Sequence, residues 1–204
     1  MIGKDIYIID DVIPEDKQNE IEDLFTSTGL SWTFHKDIAL DSMDIKKLGI
    51  TKLTPGIGCN IKQHLPKFLN LNLLNKVKII AEQACVGIDR KFKEIYQARS
   101  FMHFPVSPES KNEFDNIHID IPFEHLVVLY YVNDTDGDTF IFDKFADLDN
   151  LKSPTLNENE ANITKRVSPK KGRALVFDGR RYHSSSAPTK NIRCIINFDI
   201  AIKK

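Results

Sequence analysis

The chain is short of several things, and each shortage removes a class of protein. Its 28 basic and 29 acidic residues nearly cancel, leaving a formal charge of -1. A protein that grips polyanions usually carries a basic stripe, so this balance argues against a nucleic-acid binder and gives no reason to expect one that works on a membrane surface. No stretch approaches the ~18 apolar residues of a spanning helix. The opening Met1-Ile2-Gly3-Lys4-Asp5 lacks the basic-then-apolar pattern of a secretory leader, so a cytoplasmic protein is expected. Cysteine is scarce. Cys59, Cys85 and Cys194 are odd in number and have no CxxC spacing, which excludes a disulfide framework and reads as reduced structural thiols. Asn162-Ile163-Thr164 fits a glycosylation acceptor but has no secretory context. There is no internal repeat.

What is present is ordinary for a soluble globular protein: 41% hydrophobic and 28% charged residues, with thirteen Phe against one Trp pointing to an aromatic interior. A length of 204 residues fits one domain. Ile6-Tyr7-Ile8-Ile9 reads as a short buried strand, and a helix follows from Pro14, with Ile21, Leu24 and Phe25 at helical spacing and Gly29 as its stop. Lys36 to Gly58 has no clear period and reads as a loop or hairpin. From Ile61 to Ala84 apolar residues recur at helical spacing (Leu65, Phe68, Leu69, then Val77, Ile80, Ala81, Ala84), which predicts two helices joined by a bend. Beyond Lys91 the pattern turns to short runs of Ile, Val, Phe and Tyr, predicting strands over 94–104, 117–121, 125–132, 139–142, 173–177 and 192–200. The polar stretch from Lys144 to Asn159 reads as a surface insertion near one mouth of a barrel. The expected fold is α+β and mainly β: a single domain with a helical buttress over 1–92 and a jelly-roll core over 93–204.

One constellation carries chemistry. In an extended strand His118 and Asp120 project from the same side, with Ile119 turned away, so the pair can grip one ion. With a distal imidazole, His183, they make two neutral nitrogens and one carboxylate on one face of an octahedron, a set that leaves positions open and suits non-haem Fe(II). His-x-Asp alone arises often by chance. Its force comes from the ordered series behind it: Leu129-Tyr130-Tyr131-Val132-Asn133, Gly137-Asp138-Thr139-Phe140-Ile141-Phe142, 169–178, His183 and then Arg193.

On those residues the chain resembles the Fe(II)- and 2-oxoglutarate-dependent dioxygenases, within them the prolyl-hydroxylase-like branch, over roughly residues 94 to 201. The resemblance implies a double-stranded β-helix (jelly roll, cupin-like) buttressed by N-terminal helices. It implies iron held by His118, Asp120 and His183. It implies 2-oxoglutarate held at its far carboxylate by Arg193, whose rigid guanidinium fork matches a carboxylate and stays charged, with Tyr131 contacting the same group and Thr139 and Ser185 lining the pocket. Activity would consume O2, release succinate and CO2 and hydroxylate a substrate such as a prolyl or other amino-acid or peptide group, with ascorbate as a supporting reductant. Departures lie in Asp136-Gly137, where Gly-Gly is usual, and in the longer insertion from Lys144 to Thr164; this and Lys36 to Gly58 are the loops expected to choose the substrate.

Two other readings compete. A cupin-like metal-binding or regulatory module would keep the barrel without oxygenase activity. A nucleic-acid alkylation-repair dioxygenase would carry a second Arg six residues after the first, where this chain has Asp199. Among the remaining histidines, His125 reads as a surface or strand-entry residue rather than a rival ligand. His35 and His64 read as structural, and Phe104 rather than His103 as the pocket-lining residue. Arg180-Arg181 reads as a solvated turn or as a face toward an acidic or phosphorylated substrate.

Overall fold

Alternation along Arg193–Ile202 organises the molecule: Cys194, Ile196, Phe198 and Ile200 point one way, Arg193, Ile195, Asn197 and Asp199 the other. The computed structural model describes residues 5–38, 46, 53–63, 67–151 and 153–203. In chain order its elements are β1 (Tyr7–Ile9), α1 (Glu15–Thr26), β2 (Thr33–His35), β3 (Gly56–Gln63), β4 (Phe68–Leu69), α2 (Leu71–Gly87), β5 (Phe92–His103), β6 (Ile117–His118), β7 (Leu126–Tyr131), β8 (Thr139–Phe145), β9 (Thr155–Leu156), β10 (Ile163–Val167), β11 (Ala174–Asp178), β12 (Arg181–Ser185) and β13 (Arg193–Ile202). The major sheet runs β1-β11-β7-β13-β5-β3-β2, with β4 also paired to β3, and the minor sheet runs β10-β8-β12-β6-β9. Every pairing is antiparallel. The protein is thus mainly β, with a jelly-roll core.

The two helices pack on the outer face of the major sheet. Ile21 and Phe25 of α1 and Val77, Ile80, Ala81 and Ala84 of α2 join Met102, Val128, Tyr130, Ile196 and Phe198 in one buried cluster. Each large side chain fully buried there contributes roughly 1.5–3 kcal/mol. Glu15 and Asp16 sit in the first turn of α1, where the helix dipole favours negative charge, and the Asn70 side chain caps α2 by accepting from the Leu73 N–H at 3.1 Å. The inner face of the major sheet meets the minor sheet through Phe101, Leu129, Tyr131, Ile141, Phe177 and Ile195.

Several local expectations give way. Residues 61–63, the start of the stretch read as a first helix, belong to β3, because its backbone completes the ladder beside β5; Leu65 lies outside the described residues, and Phe68 and Leu69 form the short β4 and are exposed. The opening strand is not buried: Ile8 is 39% exposed, since β1 is the edge of the major sheet. Strand β6 spans two residues rather than five. The stretch from Lys144 to Asn159 is no bare surface loop. Leu148, Leu151 and Leu156 pack with Phe114, Phe140, Phe142 and Tyr182, covering the minor sheet's outer face, and β9 extends its edge. Most of 36–58 lies outside the described residues.

Candidate active site

His118 and His183 face each other across the minor sheet, since β6 and β12 pair them in register. Their rings lie 4.6 Å apart, and with Asp120, in the bend just after β6, they offer ligand atoms all within 4.8 Å of one another. The outer partners fix which atoms face inward. His118 Nδ1 lies 2.9 Å from the Asn116 carbonyl and His183 Nδ1 lies 3.2 Å from the Arg181 carbonyl. A carbonyl only accepts, so both Nδ1 atoms carry the proton and both Nε2 atoms present lone pairs, the arrangement that metal-ligating imidazoles need. His183 Nε2 is 3.3 Å from Asp120 Oδ2. A lone pair and a carboxylate oxygen at that distance repel unless a cation stands between them, so this donor set fits a divalent metal. Burial, helped by the nearby His183, pushes His118 down to about 4, so its imidazole is neutral at pH 7.

Asp120 is oriented by the major sheet. Arg99 on β5 donates to its Oδ1 at 3.0 Å, and Asn197 on β13 donates to its Oδ2 at 3.2 Å; the two donors are register partners. Burial opposes its charge, which the Arg99 guanidinium 3.0 Å away favours.

Four residues before Asn197 on the same inner face stands Arg193, 2% exposed. Its Nε donates to the Gly137 carbonyl at 2.8 Å and an Nη to Thr139 Oγ1 at 2.9 Å, so the fork is held by neutral groups. Among the described residues no carboxylate lies within ion-pair distance of it. Thr139 Oγ1 also accepts from Tyr131 at 2.8 Å. With two donors pointed at it, the threonine's own O–H is left to donate elsewhere. Between the guanidinium and the triad the cleft is lined by apolar Phe101, Leu129 and Ile195, and it encloses ≈ 530 Å³ of non-atom space including its mouth.

The sequence-predicted residues do not all stand where expected. His118, Asp120, His183, Arg193, Thr139 and Ser185 line this one cleft. Tyr131 does not; it is fully buried behind Thr139, with the Arg193 guanidinium 5.8 Å from its ring centre. Ser185 reaches toward Asp115 at 3.5 Å. His103, not Phe104, faces the cleft: Phe104 is 48% exposed. His125 is buried rather than on the surface, just before β7, with its Nε2 3.5 Å from Asp199. Arg180 lies in the turn before β12, partly exposed and paired with Asp178 at 2.6 Å, whereas Arg181 is not solvated: it is buried over Phe145, donating to the Phe142 carbonyl at 3.0 Å. His35 stacks edge-on against Phe101, and His64 lies outside the described residues.

Sequence reasoning missed Arg99, His103 and Gly137. Arg99, Phe101 and His103 follow a period of two along β5, so a charged residue inside an apolar strand was the available signal for Arg99. Gly137 has φ +109°, and a side chain there would lie 2.9 Å from the Ser186 carbonyl and 3.1 Å from Arg193 Cδ, so the turn that offers its carbonyl to Arg193 requires glycine.

Among the described residues no helix is long and apolar enough to cross a membrane. No family model and no curated protein matches the chain. Solved structures do. A prolyl hydroxylase from Trichoplax adhaerens, in complex with a hypoxia inducible factor oxygen degradation domain peptide fragment, aligns with TM-score 0.56 at 14% identity over 97% of this chain and 84% of that one. The non-heme alpha ketoglutarate dependent epimerase SnoN from nogalamycin biosynthesis aligns with TM-score 0.58 at 10% identity over 95% and 77%. A Pseudomonas putida prolyl-4-hydroxylase aligns with TM-score 0.51 at 11% identity over 98% and 93%. The chain therefore shares the double-stranded β-helix fold of these solved structures.

Proposed function

We propose that the protein is an Fe(II)- and 2-oxoglutarate-dependent dioxygenase that hydroxylates a prolyl or other amino-acid or peptide group. For each C–H bond converted to C–OH, one O2 and one 2-oxoglutarate are consumed, and one succinate and one CO2 are released. The observation that carries this reading is the pairing, within one cleft, of a two-imidazole, one-carboxylate cluster with a buried guanidinium that makes no ion pair among the described residues.

Residues His118, Asp120 and His183 would hold the iron, which when bound with 2-oxoglutarate supplies the activation of oxygen. The rest of the work falls to the protein's own groups. Arg193 supplies the charge for the distal carboxylate, and Thr139, accepting from Arg193 and Tyr131, turns its remaining O–H toward the same place. Tyr131 acts through Thr139. Phe101, Leu129 and Ile195 exclude water along the carbon chain and so strengthen every electrostatic contact inside. Arg99 and Asn197 keep the Asp120 carboxylate in one orientation, so it presents a fixed ligand atom. Three buried, unpaired cysteines accord with a cytoplasmic setting.

The test is succinate production with Fe(II), ascorbate and 2-oxoglutarate, alone and with proline-rich peptides. Succinate that depends on Fe(II) and is lost in His183→Ala supports the reading. Absence of turnover, coupled or uncoupled, with the metal shown to be bound would count heavily against it.

A further inference from the structure

His103 ends the inner face of β5, opposite Arg193 on β13, and is 1% exposed. Neither of its ring nitrogens has a hydrogen-bond partner among the described residues. A neutral imidazole carries one donor and one acceptor, and leaving both unmet in a buried place is costly enough that native chains rarely do it without a ligand in view. Burial and the neighbouring Arg193 hold this ring well below the ordinary histidine range, so it offers a dipole and not a second positive charge. The ring also stands between two cavities. On one side it lines the cleft with Arg193 and Thr139; on the other it lines a larger cavity with Phe34, Pro55, Phe104 and Val106, and Asp115 lines both.

A carboxylate has about four acceptor positions, more than one guanidinium edge and one hydroxyl can fill. We infer that His103 donates an imidazole N–H to the distal carboxylate of the co-substrate beside Arg193 and Thr139, and that its ring is the partition that limits the cleft to a five-carbon 2-oxo diacid. This rests on the co-substrate proposed above and assigns to this chain a length-determining contact of its own. Of the two residues that line both cavities, His103 and Asp115, His103 is the one with ring nitrogens left without hydrogen-bond partners among the described residues, so one side chain sets both the affinity and the size limit.

The test uses protein loaded with Zn(II), which binds the co-substrate without turnover, titrated calorimetrically with 2-oxoglutarate and with 2-oxoadipate, longer by one methylene. His103→Phe keeps a ring as partition and removes the nitrogens: 2-oxoglutarate should bind about tenfold more weakly, the loss of one hydrogen bond, with the preference over 2-oxoadipate intact. His103→Ala removes both, so 2-oxoglutarate should weaken similarly while its preference over 2-oxoadipate falls by about tenfold or more, the extra methylene entering the second cavity. Both variants matching a wild type that binds 2-oxoglutarate overturns this inference alone; a wild type that binds neither acid overturns the reading of the cleft as well. Should the substitutions unfold the chain, unmodified protein labelled with 15N-histidine answers the same question. Adding 2-oxoglutarate should then shift a ring-nitrogen resonance besides those of the two metal-ligating histidines, and no such shift overturns the inference.

Discussion

The two ends of the cleft are built on opposite plans. At the triad every polar atom that does not face inward is already satisfied: both Nδ1 atoms by carbonyls, Asp120 by Arg99 and Asn197. At the other end a buried guanidinium is positioned by a carbonyl and a hydroxyl and, among the described residues, makes no ion pair, next to an imidazole whose ring nitrogens have no hydrogen-bond partner there. The first end is complete but for a cation, the second but for an anion. Uncompensated burial is expensive, so each deficit states the charge of the ligand that removes it.

The largest expected effect breaks the first end. His183→Ala or His118→Ala should reduce Fe(II) affinity by more than the ~100-fold that losing an outer partner can cost, read by metal titration, while leaving the fold intact. Arg193→Met should break the second end alone: 2-oxoglutarate affinity falls by roughly 30-fold or more, metal affinity holds, and the unliganded chain melts at the wild-type temperature or above, because a buried charge with no ion-pair partner among the described residues has been removed. A variant that melts well below wild type and still binds 2-oxoglutarate would reverse that assignment. Arg99→Met sharpens the comparison, since it leaves Asp120 Oδ1 without its donor and should lower metal affinity by ~10–100-fold, with little change in co-substrate affinity once metal is saturating.

Smaller effects fall on the scaffold of the second end. Gly137→Ala should cost about 1–3 kcal/mol in denaturant unfolding, from the positive φ, and weaken 2-oxoglutarate binding by crowding Arg193. Asp136 accepts from the Thr189 and Lys190 backbone N–H groups at 2.9 and 3.0 Å, tying down the loop before β13. Burial opposes its charge, but those bonds and the Thr189 hydroxyl hold it at about 2. A depressed carboxyl stabilises above its unfolded value near 3.9 and loses that contribution as the pH falls through about 2. Asp136→Asn should therefore cost roughly 1–2 kcal/mol at pH 6, read from unfolding midpoints. The difference from wild type should close toward pH 2.

Much of this was legible in the chain because strand alternation is local. His118 and Asp120 two apart, and Arg193, Ile195 and Asn197 two apart, declare shared faces without knowledge of the partners. The core strands from β5 onward announced themselves by apolar runs between turn residues. What failed depended on pairing. Ile61 stood at helical spacing from residues beyond it, yet 56–63 is a strand because β5 offered an unpaired edge that local periodicity cannot report. Strand β12 hid behind Arg180-Arg181, whose charges read as solvent; Arg181 instead lays its guanidinium over the Phe145 ring and finds a carbonyl inside. The choice between His103 and Phe104 was a choice of phase, settled by the register of β5 against β13. Tyr131 fell on the correct face but one residue too deep, because Thr139 stands in front of it.

The most direct measurement is anaerobic titration of the Fe(II)-loaded protein with 2-oxoglutarate, followed by the visible charge-transfer absorption of the chelate. The account predicts a saturable band at one iron per chain, absent in His183→Ala and shifted to much higher 2-oxoglutarate concentration in Arg193→Met. A wild-type protein that holds one Fe(II) tightly and develops no band at any 2-oxoglutarate concentration would contradict it.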